Sequence, residues 1–381
     1  MRRAAGPDGA AARAGLREPA DDGGTYSLAR GESAVNFSYE QLRRCTVAVD
    51  LGADRTRVYL RQAGVVVDEP SVVAVDTRSG ALIAVGTPAQ RMYGRTPPRI
   101  RVVRPVADGT VHDVQMAQRM LRAMVGEKVR RAWRRRPLLR AAVCVPHDAD
   151  PLARRAAVAT LTGLGCRRVE LVDTLFAAAV GCGLPVERPE ATMIVLCGAD
   201  TTQVAVLSLG AIVAAAQVGV GGETLYGAVG RHLRNRYELS IPSDAVRDLH
   251  AEVTAGGTGG LPGDPDGPVV HGRDAATGLA RTVRIDAHEV HAATHGPLMA
   301  VLDTIRGVLH RCPPDLVADL ADRGVMLAGG YADLPGLADR LHGATSMAVH
   351  VADDPAAAAV GGVTAMIEGR VRPLLSLDAL H

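Results

Sequence analysis

The chain has 381 residues, a formal net charge of +2, 47% hydrophobic residues and 22% charged residues. That composition suits two globular domains with proper cores and excludes a partner selected by bulk charge. Lysine occurs once, as Lys128 in Gly126-Glu127-Lys128-Val129. This context excludes both a P-loop, which needs Lys beside Ser or Thr, and a kinase Val-Ala-Ile-Lys strand.

Residues 1–36 are rich in Ala, Gly, Arg, Asp and Glu without a hydrophobic period, and residues 1–40 read as a disordered tail. No apolar stretch follows Arg2 and Arg3, so no signal peptide is expected. Order is predicted from Leu42. Cys45 to Leu51 reads as a buried strand, Thr56 to Leu60 as its return, and Val65–Val67, Ser71–Val75 and Ala81–Val85 as further short strands. Helices are predicted over 114–125 and 151–164, the latter stopped by Gly165. Strands are predicted at 141–146 and Val169–Val172, and a helix from Leu175. The pattern then restarts with strands at Met193–Cys197, Thr202–Leu207 and Ile212–Val218. The uncharged run 204–222 contains Ser208, Gly210, Gln217 and Gly219, which suits two buried strands and a turn better than a membrane span. Helices at 223–236, 243–252 and within 287–311 follow, around a Gly/Pro-rich tip at 254–268. A strand at Val325–Ala328, a helix at 335–342 and a strand at Val349–Val351 close the pattern. The six cysteines, Cys45, Cys144, Cys166, Cys182, Cys197 and Cys312, form no Cys-x-x-Cys pair. They read as small hydrophobes of a reduced cytoplasmic protein.

The restart is the most informative feature. Asp50-Leu-Gly-Ala-Asp-Arg-Thr-Arg-Val-Tyr-Leu is matched by Leu196-Cys-Gly-Ala-Asp-Thr-Thr-Gln-Val-Ala-Val, and each unit continues after a glycine (Gly64, Gly210) into an apolar strand. One strand–turn–strand unit per half implies a duplicated α/β architecture. Facing turns of small residues bring backbone N–H groups close to a polyphosphate.

Over about residues 45–370 the chain resembles the actin superfamily, and specifically the MreB-type bacterial actins. The resemblance rests on Asp68-Glu-Pro-Ser-Val-Val-Ala-Val, Gly94-Arg-Thr-Pro, Arg104-Pro-Val-Ala-Asp-Gly-Thr-Val, Arg154-Arg-Ala and Gly221-Gly-Glu. It continues through Gly278-Leu-Ala-Arg-Thr-Val, Pro313-Pro-Asp-Leu-Val-Ala-Asp, Arg323-Gly-Val-Met-Leu-Ala-Gly-Gly and Val351-Ala-Asp-Asp-Pro. It implies an α/β, actin-like ATPase fold: two duplicated ribonuclease-H-like domains around a nucleotide cleft. On that frame domain I spans 41–186 with a small subdomain at about 74–113. Domain II spans 187–356 with a small subdomain at about 225–289, and 357–381 returns to domain I. The resemblance also implies ATP and Mg²⁺ as ligands, self-association into filaments, and a cytoplasmic, peripheral place on the inner face of the plasma membrane. Its implied partners are cell-wall elongation membrane proteins and an MreB paralogue, in a role in cell shape.

Carried over residue by residue, the resemblance predicts a damaged site. The first phosphate hairpin of the family reads Asp-Leu-Gly-Thr-Ala-Asn-Thr. Here Asp50 (the metal-side carboxylate), Gly52 and Thr56 are kept, while Ala53, Asp54 and Arg55 depart from it. Arg55 retains the chemistry to meet a phosphate. The second hairpin, Asp-Ile-Gly-Gly-Gly-Thr-Thr-Glu in the family, keeps Gly198, Thr201 and Thr202 but has Leu196 for its Asp, with Ala199 and Asp200 for glycines. Asp200 sets a negative charge where phosphates are expected; like charges about 4 Å apart repel by roughly 1 kcal/mol in water. Thr174 stands at the family's catalytic Glu, and a hydroxyl is a poor general base; Asp173 is the candidate substitute. Gly222 and Glu223 fall in the Gly-Gly-Glu stretch. Arg247 and His250 map to the family's nucleoside contacts, and Tyr331 follows the retained Gly329 and Gly330. Weak ATP binding, or none, is the expectation.

Between Arg130 and Arg140 the single Trp133 and the pair Leu138 and Leu139 stand among six arginines, including Arg134, Arg135 and Arg136. At about this place the family has a loop that dips into the membrane, and the composition suits anionic lipid; a solvated basic loop is the alternative. No nucleic-acid motif is present, so no nucleic-acid partner is expected. His288-Glu289-Val290-His291 lacks the zinc-protease spacing and reads as solvated surface. A small-molecule kinase of the same fold would need a further catalytic Asp or Arg, for which there is no signal.

Overall fold

The computed structural model describes residues 38–134, 139–255 and 267–371. Two five-stranded sheets carry the fold. In the first, β1 (Val47–Leu51), β2 (Arg55–Leu60) and β3 (Gly64–Pro70) form an antiparallel meander. β4 (Arg140–Val145) and β5 (Arg168–Asp173) then add in parallel on the other side of β1. The second repeats this order. β6 (Thr192–Cys197), β7 (Thr202–Ser208) and β8 (Ala211–Val218) make the meander. β9 (Val325–Ala328) and β10 (Val349–Val351) add in parallel beside β6. Gly64 and Gly210, at φ of 76° and 75°, reverse the chain before the third strand of each meander, a conformation that strains glycine least.

Alternation along the strands divides the side chains between layers. Val47, Val49 and Leu51 face one core, whereas Ala48 joins a central core. Likewise Met193, Val195 and Cys197 face away while Ile194 and Leu196 point to that central core. The central core is completed by α1 (Thr174–Gly181) and α2 (Ala358–Ile367), so two helices lie between the sheets. α1 and α2 cross closely because both present glycine. A Cβ on Gly362 would stand 1.7 Å from the Ala177 carbonyl oxygen, and one on Gly181 would stand 1.9 Å from that of Ala358. α2 is not among the elements expected from the sequence: its Gly361-Gly362 pair weakens intrinsic helicity, and close packing supplies what propensity does not.

Two smaller sheets flank these layers: Val73–Asp76, Leu82–Val85 and Ile100–Val103 on one side, and Leu239–Ser240, Val269–Asp274 and Ala280–Arg284 on the other. The first described helix, Tyr39–Arg43, begins inside the stretch read as tail; Leu42 is buried, and the Tyr39 hydroxyl donates to Glu187 at 2.5 Å. All six cysteines are free, five of them buried. Among the described residues no helix is long and apolar enough to cross a membrane.

Candidate functional site

The tips of the two meanders face each other across a cleft of about 820 Å³, measured with the solvent at its mouth. Each turn is built alike. Gly52 N–H donates to the Arg55 carbonyl (3.1 Å), and Gly198 N–H to that of Thr201 (2.9 Å). A Cβ on Gly52 would meet the Arg55 oxygen at 2.7 Å, so the tight turn requires glycine. Gly52, Ala53, Asp54 and Arg55 line one wall, and Gly198, Ala199, Asp200 and Thr201 the other. Gly329, Gly330 and Tyr331 form a third side. Gly329, at φ 97°, is held by N–H donation to the Pro355 carbonyl at 2.7 Å. Thr174 and Ala359, in the first turns of α1 and α2, also line the cleft. The N-terminus of α2 therefore directs its positive dipole end toward it, which suits an anion, whereas that of α1 is already capped by Asp173.

Several predicted contacts lie elsewhere. Thr56 is fully buried and shares a 2.8 Å hydrogen bond with Ser71, whose hydroxyl donates to the Gly52 carbonyl at 2.6 Å. Thr202, also buried, donates to the Val220 carbonyl at 2.7 Å. Both threonines brace the hairpins from behind rather than face a ligand. Asp173 is not a substitute for the missing Glu. Its Oδ1 accepts from the Leu175 and Phe176 N–H groups (2.8 and 3.3 Å), and its Oδ2 lies 2.6 Å from His147 Nδ1. It is the N-cap of α1, and its hydrogen bond raises the His147 pKa. Its side chain is buried and does not line the cleft, so it is not placed to position a water there.

The nucleoside contacts are likewise engaged with one another. Gly222 begins the helix α3 (Gly222–Tyr237), whose first N–H groups donate to the Gly198 and Ala199 carbonyls at 3.1 and 2.9 Å. The Tyr331 ring covers Gly222 so closely that a Cβ there would stand 1.6 Å from it. Its hydroxyl donates to Glu223 Oε1 at 2.8 Å. Arg247 reaches the same carboxylate at 3.4 Å and lies over the Tyr226 ring. His250 is buried away from the cleft, in a cavity with His291 and Arg340. Burial, with His291 and Arg340 adding to it, lowers its pKa to about 4.

Charge in the cleft is arranged in internal pairs. Asp50 sits opposite Arg57 in the β1–β2 ladder, with 4.0 Å between Oδ2 and Nη1. Arg57 Nε lies 3.3 Å from Asp68 Oδ1. Arg55, the expected phosphate ligand, also binds Asp68, through Nε to Oδ1 at 2.7 Å and through Nη2 to its carbonyl at 2.7 Å. Burial raises the Asp50 carboxyl to about 6, with Arg57 opposing and Asp68 adding to the rise. Asp200 accepts from the Asp108 N–H at 3.1 Å, so it ties the second hairpin to the Val106–Val111 turn instead of standing unopposed.

Mg²⁺ does not fit this donor set. Such sites use one or two carboxylates with waters and phosphates in octahedral geometry. Here Arg57 stands beside the one carboxylate, and Leu196 occupies the place of the other. A divalent ion about 4 Å from a guanidinium is repelled by about 2 kcal/mol in bulk water and several-fold more in a cleft. Among the described residues no group of three or more His, Cys, Asp or Glu could hold a metal. ATP fits in part: the glycine turns and the α2 N-terminus suit phosphates, while Tyr331 fills the space at Gly222.

In the basic segment, Leu139 is 4% exposed and belongs to the core beneath β4. It is therefore anchored in the protein and not available to a membrane. Arg135, Arg136 and Leu138 lie outside the described residues. Glu289, read as solvated, binds His232 Nε2 at 2.9 Å and the Tyr237 hydroxyl at 2.8 Å. Sequence reasoning does not single out Arg57, Gln203, His147 or Gly109. Strand register is the available signal for Arg57, because a short turn after Asp50 sets it directly across the ladder.

Residues 44–373 match the family profile described as MreB/Mbl protein. The cell shape-determining protein MreB of Escherichia coli (strain K12) is 35% identical over 314 residues, 81% of this chain and 89% of that protein. The cell shape-determining protein Mbl of Bacillus subtilis (strain 168) is 30% identical over 323 residues, 84% and 95% of the two chains. MreB 5 of Spiroplasma citri, solved bound to AMPPNP, superposes with a TM-score of 0.77 at 24% identity, covering 85% of this chain and 96% of that one. The MamK double helical filament gives 0.65 at 17% identity, covering 86% and 99%. The duplicated sheets, the cleft between their glycine turns and these likenesses agree: the chain belongs to the MreB/Mbl family and has the actin-like fold.

Proposed function

We propose that this protein is an MreB-like cytoskeletal filament subunit that binds ATP weakly or not at all, lies on the inner membrane face and contributes to cell shape and wall synthesis. The observation that carries the reading is the state of the catalytic position. Thr174 faces the cleft where the family has a Glu, and the neighbouring Asp173 spends both oxygens on the α1 N-terminus and His147. With no carboxylate facing the cleft at the helix start, the position of the family's general base carries only a hydroxyl, a poor base near neutral pH. Tyr331 on Gly222 and the Asp50–Arg57 pair support weakened binding of nucleoside and metal alike. The roles in cell shape and in filaments come from the names of the relatives and are transferred here as a proposal. So is membrane association, for which the support is Trp133 among arginines in the sequence.

A second reading is favoured by the same internal pairing: a nucleotide-independent scaffold that copolymerises with a paralogue. Calorimetric titration with ATP and Mg²⁺, run beside a phosphate-release assay, tests the proposal. The expectation is weak or no binding and no turnover. Sustained phosphate release abolished by Thr174→Val would overturn it. Co-sedimentation with anionic vesicles, lost on Trp133→Ala, checks the membrane part.

A further inference from the structure

The Asp50–Arg57 pair belongs to the first hairpin alone. At the same place in the second hairpin's ladder Leu196 faces Gln203. The Arg57 side chain is only 9% exposed and that of Asp50 15%, yet both line the cleft. Asp50 Oδ2 and Asp68 Oδ1 hold the guanidinium at 4.0 and 3.3 Å, and its buried Nε makes no hydrogen bond of good geometry among the described residues. A permanent cation with spare donors is thus built into the floor of a cleft toward which the α2 N-terminus also points.

We propose that Arg57 is the resident cation of this cleft. It holds the place beside Asp50 that a divalent ion would need, and it meets a polyphosphate directly, so that nucleotide or inorganic polyphosphate binds without metal. The inference rests on the reading of the cleft as a nucleotide site and adds its ion requirement. A guanidinium suits this role because it stays charged at every physiological pH and its planar donors match phosphate oxygens. A divalent ion would need Asp50 as ligand and would face the Arg57 charge at close range, whereas an anion faces only attraction from it.

The test uses the full-length protein, titrated with ATP and with inorganic tripolyphosphate, in excess Mg²⁺ and in EDTA. In parallel, Mn²⁺ binding to the protein alone is followed by electron paramagnetic resonance. The expected result is dissociation constants that agree within about threefold with and without metal, and no Mn²⁺ site that Asp50→Asn abolishes. Arg57→Gln places at this position the residue type already present at Gln203 of the second hairpin. It should weaken tripolyphosphate binding in EDTA by about tenfold and create an Asp50-dependent Mn²⁺ site. ATP binding weaker by more than about tenfold in EDTA than in Mg²⁺, or an Asp50-dependent Mn²⁺ site in the unaltered protein, would overturn the inference; neither measurement needs a variant of Arg57. If neither polyphosphate binds, the direct phosphate contact of Arg57 fails while the non-binding form of the proposed function stands, and Mn²⁺ decides the rest. Mn²⁺ bound by Arg57→Gln but not by the parent upholds Arg57 as the resident cation, and Mn²⁺ bound by neither contradicts it.

Discussion

Tyr331 offers the sharpest separation of structure from ligand binding. Its ring covers Gly222, its hydroxyl donates to Glu223, and the side chain is almost wholly buried. Tyr331→Phe removes only the hydrogen bond. Because the acceptor is a carboxylate in a partly buried setting, the loss is about 1–2 kcal/mol. Tyr331→Ala removes the ring as well and leaves a cavity, which costs about 3–5 kcal/mol for a buried aromatic. The same cavity opens the space at Gly222 where the nucleoside end of a nucleotide is expected. Urea unfolding followed by circular dichroism gives the stabilities, and calorimetry gives the ATP affinity. Tyr331→Ala should bind ATP more tightly than the parent despite its lower stability, and Tyr331→Phe should bind as the parent does. If Tyr331→Ala binds no better, the ring is not the obstruction. If Tyr331→Phe loses as much stability as Tyr331→Ala, the packing argument fails.

His250 is buried and neutral, with a pKa lowered to about 4 and no hydrogen-bond partner for Nδ1 among the described residues. Between pH 6.5 and 4 the unfolded chain takes up a proton there that the folded protein refuses, so stability falls as pH falls, by about 3 kcal/mol at pH 4. Asp50, with its carboxyl raised to about 6, acts with the opposite sign from about pH 4 to 6, so the effect is read as the difference between parent and His250→Gln. A pH-independent difference in urea midpoint would refute it. Asp200→Ala should speed hydrogen exchange at the Asp108 amide, whose acceptor is lost; unchanged protection would show that the cross-cleft bond does not form in solution. At the α1–α2 crossing, Gly362→Val has no room and should lose more than about 4 kcal/mol. Gly361→Ala, with open space around it, should gain up to about 1 kcal/mol. Expression and unfolding midpoints of the two variants distinguish them.

The hairpin repeat is legible in the sequence because its signal is local: an alternating apolar strand, a glycine turn and a second strand, written twice. The parallel strands are legible as short runs rich in Val and Ala, two of them ended by Pro146 and Gly329. The Val269–Asp274 and Ala280–Arg284 pair is not, because its strands are largely exposed and carry few apolar residues. α2 is hidden because a helix with two adjacent glycines is held by contact with α1, not by its own propensity.

In the cleft, the glycines and Asp50 are readable, but the state of the site is not. Its character comes from pairs that join residues far apart in sequence. Tyr331 and Glu223 are 108 positions apart, and Asp108 and Asp200 are 92 apart. No pattern in one segment announces them. Register alone places Arg57 opposite Asp50, and with it a cation beside the one retained metal-side carboxylate.

The central claim is that the cleft lacks both a catalytic carboxylate and a place for a metal, so that assembly is not switched by ATP. Light scattering of nucleotide-stripped protein, with and without ATP and Mg²⁺, tests it most directly, with electron microscopy to identify the polymer. The account predicts the same filaments at the same protein concentration in both conditions. Filaments that form only with ATP and disperse with ADP would contradict it.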